Sequence, residues 1–223
     1  MLDANLRQAY TRQGFAESEN RILVELDTIL GEPSENGLAS IIGEFFNEWS
    51  NAANDPENSS ARDTLIQKGQ QLTSAFNRVY QQINNSRAQI TQEVNAASNK
   101  INQLTTQISD MNRKISYSEV GGEQANDLRD KRDLLIDQLS EYGKVNFVES
   151  SQGMYNVTFE GVTLVAGALS SDIEANDFTN SMGERQLQIQ FKESEQSFVV
   201  TSGRMGSMLK QYNEYLPEQM NKL

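Results

Sequence analysis

The sequence predicts an α+β fold, an elongated antiparallel helical bundle of long coiled-coil-like helices with a small antiparallel β lobe inserted before the last helix. Three observations predict it. Apolar residues step by four and three from Leu72 to Ile115, the period changes to two after Lys144, and the helical period returns after Gly203. The expected division is a bundle domain, residues 1–142 with 204–223, and a β subdomain, residues 143–203.

The first helix spans Leu2 to Leu30, with Leu2, Leu6 and Ala9 and later Ile22, Leu26 and Ile29 forming one stripe. Gly31-Glu32-Pro33-Ser34 stops it, because glycine tolerates the left-handed cap and proline removes a donor. A second stripe, Leu38, Ile41, Ile42, Phe45, Phe46 and Trp49, is dense in aromatics and is expected to be the most buried helix. Asn51 to Ser59 contains Asn54-Asp55-Pro56 and reads as a loop; Ser60 with Asp63 three residues on resembles a capping box for the next helix.

That helix holds the clearest pattern in the chain: Leu72, Phe76, Val79, Ile83, Ser86, Ile90, Val94, Ala97, Ile101, Leu104, Ile108, Met111 and Ile115 form a heptad stripe. Ser86, Ile90 and Val94 make consecutive four-residue steps, a stutter that locally unwinds a supercoil. From Ser60 to Tyr117 the element is about 85 Å long at 1.5 Å per residue, and is expected to define the long axis. Gly121-Gly122 ends it. Asn126 is placed to cap a further helix bearing Leu128, Leu135, Leu139 and Tyr142, which Gly143 terminates.

Beyond Lys144, Val145, Phe147 and Glu149 alternate with polar neighbours, as do Tyr155, Val157 and Phe159, and Glu160-Gly161 forms a two-residue hairpin turn into Val162-Thr163-Leu164-Val165. Leu187, Ile189 and Phe191, then Phe198, Val199 and Val200, supply further strands; Ser170 to Gly183 reads as a polar connection with at most one strand. One sheet of about four to six strands is expected. Met205, Met208, Leu209, Tyr212, Leu216, Met220 and Leu223 restore the helical stripe, which Pro217 kinks or restarts. The final helix is expected to pair with the first. Both ends of the chain fall inside periodic helices, so a trimmed fragment is expected.

Composition narrows the function. A net charge of −12 repels phosphate backbones and anionic lipid, so nucleic acid is not an expected partner, and no apolar run reaches the length that crosses a bilayer. The chain has no His and no Cys, which removes imidazole bases, thiol nucleophiles, zinc sites and the usual triads together. Asp127, Asp130, Asp133 and Asp137 share a helix face at three- and four-residue spacing, but they read as a solvated helix start paired with Arg129, Lys131 and Arg132. Asp55-Pro56-Glu57-Asn58 lacks the glycine and terminal glutamate of a calcium loop. No catalytic, cofactor-binding or metal residue is assigned, and no cofactor is expected. The long stripe could drive a homodimeric coiled coil, but the chain supplies its own partner helices, so a monomer in solution is expected.

Several motifs in order resemble a known family. They are Gly31-Glu32-Pro33 with Gly37-Leu38; Phe45-Phe46-Asn47 with Trp49; Ala53-Asn54-Asp55-Pro56-Glu57 leading to Ala61-Arg62; Asn126-Asp127-Leu128 with Asp130, Arg132, Asp133 and Leu135; and Gly203-Arg204-Met205-Gly206-Ser207-Met208-Leu209. Over nearly the whole chain the sequence is similar to the flagellar hook-associated protein 1, or hook-filament junction, family. The resemblance implies a non-enzymatic, self-assembling axial subunit, exported by the flagellar export apparatus to the extracellular flagellum. Its implied partners are copies of itself in a ring, hook protein and the second junction protein, with an export chaperone possible for a longer chain. It also implies that terminal polymerisation segments are missing here. Lateral contacts are expected on polar helix faces and in the loops Gly31–Gly37 and Asn51–Ser59. The rival readings are another axial protein, such as the second junction protein or flagellin, or a coiled-coil adaptor or chaperone with an exposed apolar groove.

Overall fold

The structure is a computed structural model that describes residues 2–30, 37–122 and 124–222. The Gly31–Ser34 stop and nearly all of the Gly31–Gly37 loop lie outside the described residues. The helices are α1 (Leu2–Leu30), α2 (Leu38–Asn54), α3 (Ser59–Ser118), α4 (Asn126–Ser140), α5 (Gly203–Lys210) and α6 (Leu216–Lys222). The strands are β1 (Val145–Glu149), β2 (Tyr155–Phe159), β3 (Val162–Ala166), β4 (Leu169–Ser170), β5 (Ile173–Thr179), β6 (Arg185–Phe191) and β7 (Ser197–Phe198).

All strand pairs are antiparallel, and they form two sheets, β1-β2-β3-β4 and β5-β6-β7, not the single sheet expected. Where the sheets divide, at the start of β5, the N–H and C=O of Ile173 that face away from β6 are both bonded by Asn102 of α3 in place of a strand. The β2–β3 turn is the expected one: Glu160 (φ 49°) and Gly161 (φ 87°) both take left-handed conformations, as a two-residue turn of this twist requires.

Contacts group the chain into two compact units, residues 1–20 with 89–215 and residues 21–88 with 216–223. In the first, Val94, Ile101, Leu104, Ile108 and Ile115 of α3 are buried with Ile136 and Leu139 of α4, Val157, Phe159 and Val165 of the larger sheet, and Met205, Met208 and Tyr212. Each such burial stabilises by about 1.5–3 kcal/mol. The predicted heptad stripe of α3 is the buried face here, widened by the polar residues Ser98, Thr105, Ser109 and Asn112.

In the second unit Leu38 and Ile41 of α2 pack on Ala75 of α3, with Ile42, Leu72 and Phe76 around them, and Lys68 pairs with Glu44 at 2.7 Å. Helix α2 is not the most buried helix. Phe46 is 63% and Trp49 58% exposed, while Phe45 meets both rings at centroid distances of 5.5 and 6.1 Å. The apolar arc of α2 is wider than α3 covers, so Leu38 and Ile41 take the core and the aromatic side faces water.

Other departures are local. Leu6 and Ala9 of the expected α1 stripe are exposed, and Arg7, Thr11 and Ser18 turn inward instead. Helix α3 is capped by Asn58, whose Oδ1 accepts the Ala61 N–H at 3.2 Å, and not by Ser60. The chain has already turned there, since Asn58 N–H bonds Asp55 C=O, so Ser60 lies inside the helix. Asn126 likewise begins α4 without capping it; Glu119 Oε1 accepts the Ala125 N–H just outside. Gly122, at φ 87°, closes the end of α3 as expected. A wide turn, Gln211–Tyr215, separates α5 from α6, and Pro217 falls in the first turn of α6, where its missing N–H costs least.

Candidate functional site

The unit that bears both sheets is tied together by polar side chains on its helices. Three asparagines act alike. Asn102 donates to Ile173 C=O (2.8 Å) and accepts from its N–H (2.9 Å). Asn213 does the same for Leu187 of β6, at 2.8 Å each way. Asn112, fully buried, accepts the Tyr155 N–H (3.0 Å) and donates to the carbonyls of Tyr155 (2.8 Å) and Gly167 (2.7 Å). A primary amide presents a donor and an acceptor side by side, the pattern a neighbouring strand would offer. Each helix thereby takes the place of a strand at a sheet edge or corner.

Arg132 of α4 is fully buried beside Asn112. Its Nη1 donates to Asn112 Oδ1 (2.9 Å) and to Gly153 C=O (2.7 Å), and its guanidinium lies 3.3 Å from the centre of the Tyr155 ring. Burial lowers its proton affinity and raises that of the Tyr155 hydroxyl. Tyr155 stacks on Phe147 at 4.4 Å, and Arg7 of α1 sits 4.9 Å from the Phe147 ring while bonding Asp137 at 2.7 Å. Arg129 turns the other way, clamping Glu119 (2.7 Å) and Glu149 (2.6 Å), which ties the end of α3 to the tip of β1. Arg129 depresses the Glu119 carboxyl to about 2, helped by the Ala125 N–H.

The aspartate row of α4 thus has different partners from those expected. Asp127 and Asp130 are exposed, Asp137 pairs with Arg7, and half-buried Asp133 is pushed up by desolvation. Arg129 and Arg132 reach across to other elements and leave the row. No pair of these carboxylates is shown sharing a proton or a hydrogen bond. Among the described residues no group of His, Cys, Asp or Glu could hold a metal ion, and no helix is long and apolar enough to cross a membrane.

Helix α1 docks on this unit through polar and small residues. Thr11 Oγ1 donates to Ser140 C=O at 2.7 Å, and Gly14 lies against Glu141 C=O so closely that a Cβ would overlap it. Arg204 N–H bonds the same Glu141 C=O (2.9 Å) and Met205 N–H bonds Tyr142 C=O (3.1 Å), so the start of α5 caps the end of α4. As expected, the segment after Gly203 pairs with α1: Tyr215 and Lys210 reach Glu19, and Gln211 reaches Ser18. The arrangement is a braced scaffold. Its exposed apolar side chains include Phe46, Trp49 and Ile66 in one unit and Leu6 and Val148 in the other.

The family described as the flagellar hook-associated protein FlgK helical domain matches residues 23–223. The flagellar hook-associated protein 1 of Bacillus subtilis (strain 168) is 30% identical over 139 residues, 62% of this chain and 27% of that protein. Its counterpart from Escherichia coli (strain K12) is 28% identical over 173 residues, 76% of this chain and 31% of that protein. The solved structure of the flagellar hook junction protein FlgK from Burkholderia pseudomallei matches with a TM-score of 0.80 at 25% identity, covering 93% of this chain and 38% of that one. The chain spans less than a third of the length of these curated relatives.

Proposed function

The chain belongs to the FlgK helical-domain family of flagellar hook-associated proteins, exported components of the bacterial flagellum, and from this membership we propose that it is the helical part of a structural subunit that joins hook to filament. The observation that carries the reading is the family match across residues 23–223. The work is mechanical and non-enzymatic. Subunits stand side by side in a ring, and load passes through lateral helix packing and through the braced sheets of each copy. Hook protein and the second junction protein are its neighbours along the axis, and the exposed face of α2 with the Asn51–Ser59 stretch supplies lateral contacts. Buried asparagine clamps and a buried arginine support a rigid, uniquely packed subunit.

Electron microscopy of cells lacking the full-length gene, with an assay for flagellin in the medium, tests this. Bare hooks with shed flagellin are expected, restored to filaments by the wild-type gene. Normal filaments in the deletion would overturn the reading.

A further inference from the structure

Strand β1 lies at the edge of its sheet. Its bonds to β2 use even-numbered residues, since Glu160 N–H donates to Lys144 C=O and Ser150 N–H to Met154 C=O, each at 2.8 Å. The backbone groups of Val145, Phe147 and Glu149 therefore point away from β2, where no strand among the described residues pairs with them. Beside them a cavity of ≈ 730 Å³ opens between β1 and the first turns of α1, with Arg7, Arg12, Lys144, Val145 and Phe147 among its lining.

The charge of this groove is opposite to that of the chain. The net charge is −12, yet among the described residues the charged side chains that line the cavity are Arg7, Arg12 and Lys144, with no Asp or Glu. Two acids beside the groove are paired with cations, Asp137 with Arg7 and Glu149 with Arg129, and the Glu160 carboxylate is held by the Lys144 N–H and the Ser202 hydroxyl, which leaves Arg12 and the Lys144 ammonium as the groove's cations. Arg12 and Lys144 are exposed. A lysine at a strand edge discourages apolar strands, because docking would strip its water; a strand bearing carboxylates compensates that loss. Aromatic Phe147 beneath the edge gives such a strand an apolar floor.

We propose that this groove accepts an extended acidic segment of a partner protein by strand addition, its backbone pairing with Val145 and Phe147 and its carboxylates meeting Arg12 and Lys144. Main-chain bonds supply affinity and the cations supply selectivity. The inference rests on the groove alone and stands or falls apart from the flagellar reading.

The test uses the 223-residue chain and a short capped peptide alternating Glu with Val, followed by NMR. The peptide is expected to slow hydrogen exchange at the Val145 and Phe147 amides, with affinity that falls as salt rises. Arg12→Glu combined with Lys144→Glu, both exposed and compatible with an unchanged circular dichroism spectrum, should weaken binding by about tenfold or more. The same peptide with Lys in place of Glu, or N-methylated at alternate nitrogens, should not bind. Unchanged exchange at those two amides overturns the proposal, as does equal binding by the N-methylated peptide or by the doubly reversed variant.

Discussion

The guanidinium of Arg132 lies 3.3 Å from the centre of the Tyr155 ring, and both side chains are buried. The stack joins α4 to β2 at the point where Asn112 joins α3 to the same strand, so three elements meet on one residue. Arg132→Met keeps volume and removes a buried charge, but it leaves Gly153 C=O without its donor. It is expected to cost about 1–3 kcal/mol. Arg132→Ala adds a cavity and should cost about 3–5 kcal/mol. Urea unfolding read by circular dichroism would decide; a stability equal to wild type for the alanine variant would refute the bracing role.

Asn112 serves more groups than either of the other clamps. Asn112→Ala strands the Tyr155 N–H and two carbonyls, and is expected to cost about 2–4 kcal/mol, against about 1–2 kcal/mol for Asn102→Ala at a half-buried site. The second effect should also be local: amide exchange at Ile173 accelerates while that of the α3 core does not. Uniform acceleration would show that Asn102 holds the whole unit.

Two carboxyls respond to pH in opposite senses. Glu119 is depressed to about 2 by Arg129 and the Ala125 N–H, so it contributes stability above the unfolded carboxylate value of about 4.3, lost as pH falls toward 2. Glu119→Gln should flatten the stability profile in that window. Asp133 is raised by burial, so its charged form opposes folding, and the penalty grows as pH rises from the ordinary carboxylate range through its raised value. Asp133→Asn should therefore raise the urea midpoint at neutral pH. A lowered midpoint would mean that Arg7 and Arg132 hold the aspartate charged after all.

The aromatic side of α2 separates stability from function. Trp49→Ala and Phe46→Ala remove exposed rings and are expected to change stability by less than about 0.5 kcal/mol each. In complemented cells they should lower filament retention if this face makes lateral contacts. Full motility with both rings removed would take α2 out of the assembly surface.

Close approach at Gly14 can be tested in the same way. A Cβ there overlaps the backbone carbonyl of Glu141, which cannot move without breaking its bond from Arg204 N–H. Gly14→Ala should cost about 1–3 kcal/mol and loosen α1 first, seen as early proteolysis within residues 2–20. Gly203→Ala meets both the Tyr142 backbone and a φ of +63°, and is expected to be worse.

The sequence by itself determined the parts whose information is local. The stripe from Leu72 to Ile115 fixed which face of α3 is buried, Glu160-Gly161 fixed the hairpin, and the changes of period located β1, β2, β3, β6 and α5, whereas β5 lies in a stretch too polar to show the alternation. Each follows from a spacing that the backbone geometry imposes on its own neighbours. Tertiary structure alone decided the rest. Nothing local separates Asn102 or Asn112 from Asn95, which faces water on the same helix, because a clamp exists only where a distant strand end arrives. Arg132 looked like one more charge in a solvated row until Tyr155 and Gly153 closed over it. Conversely, Leu6, Phe46 and Trp49 have the spacing of a core but face water, because periodicity records which side of a helix is apolar and not whether a neighbour comes to cover it.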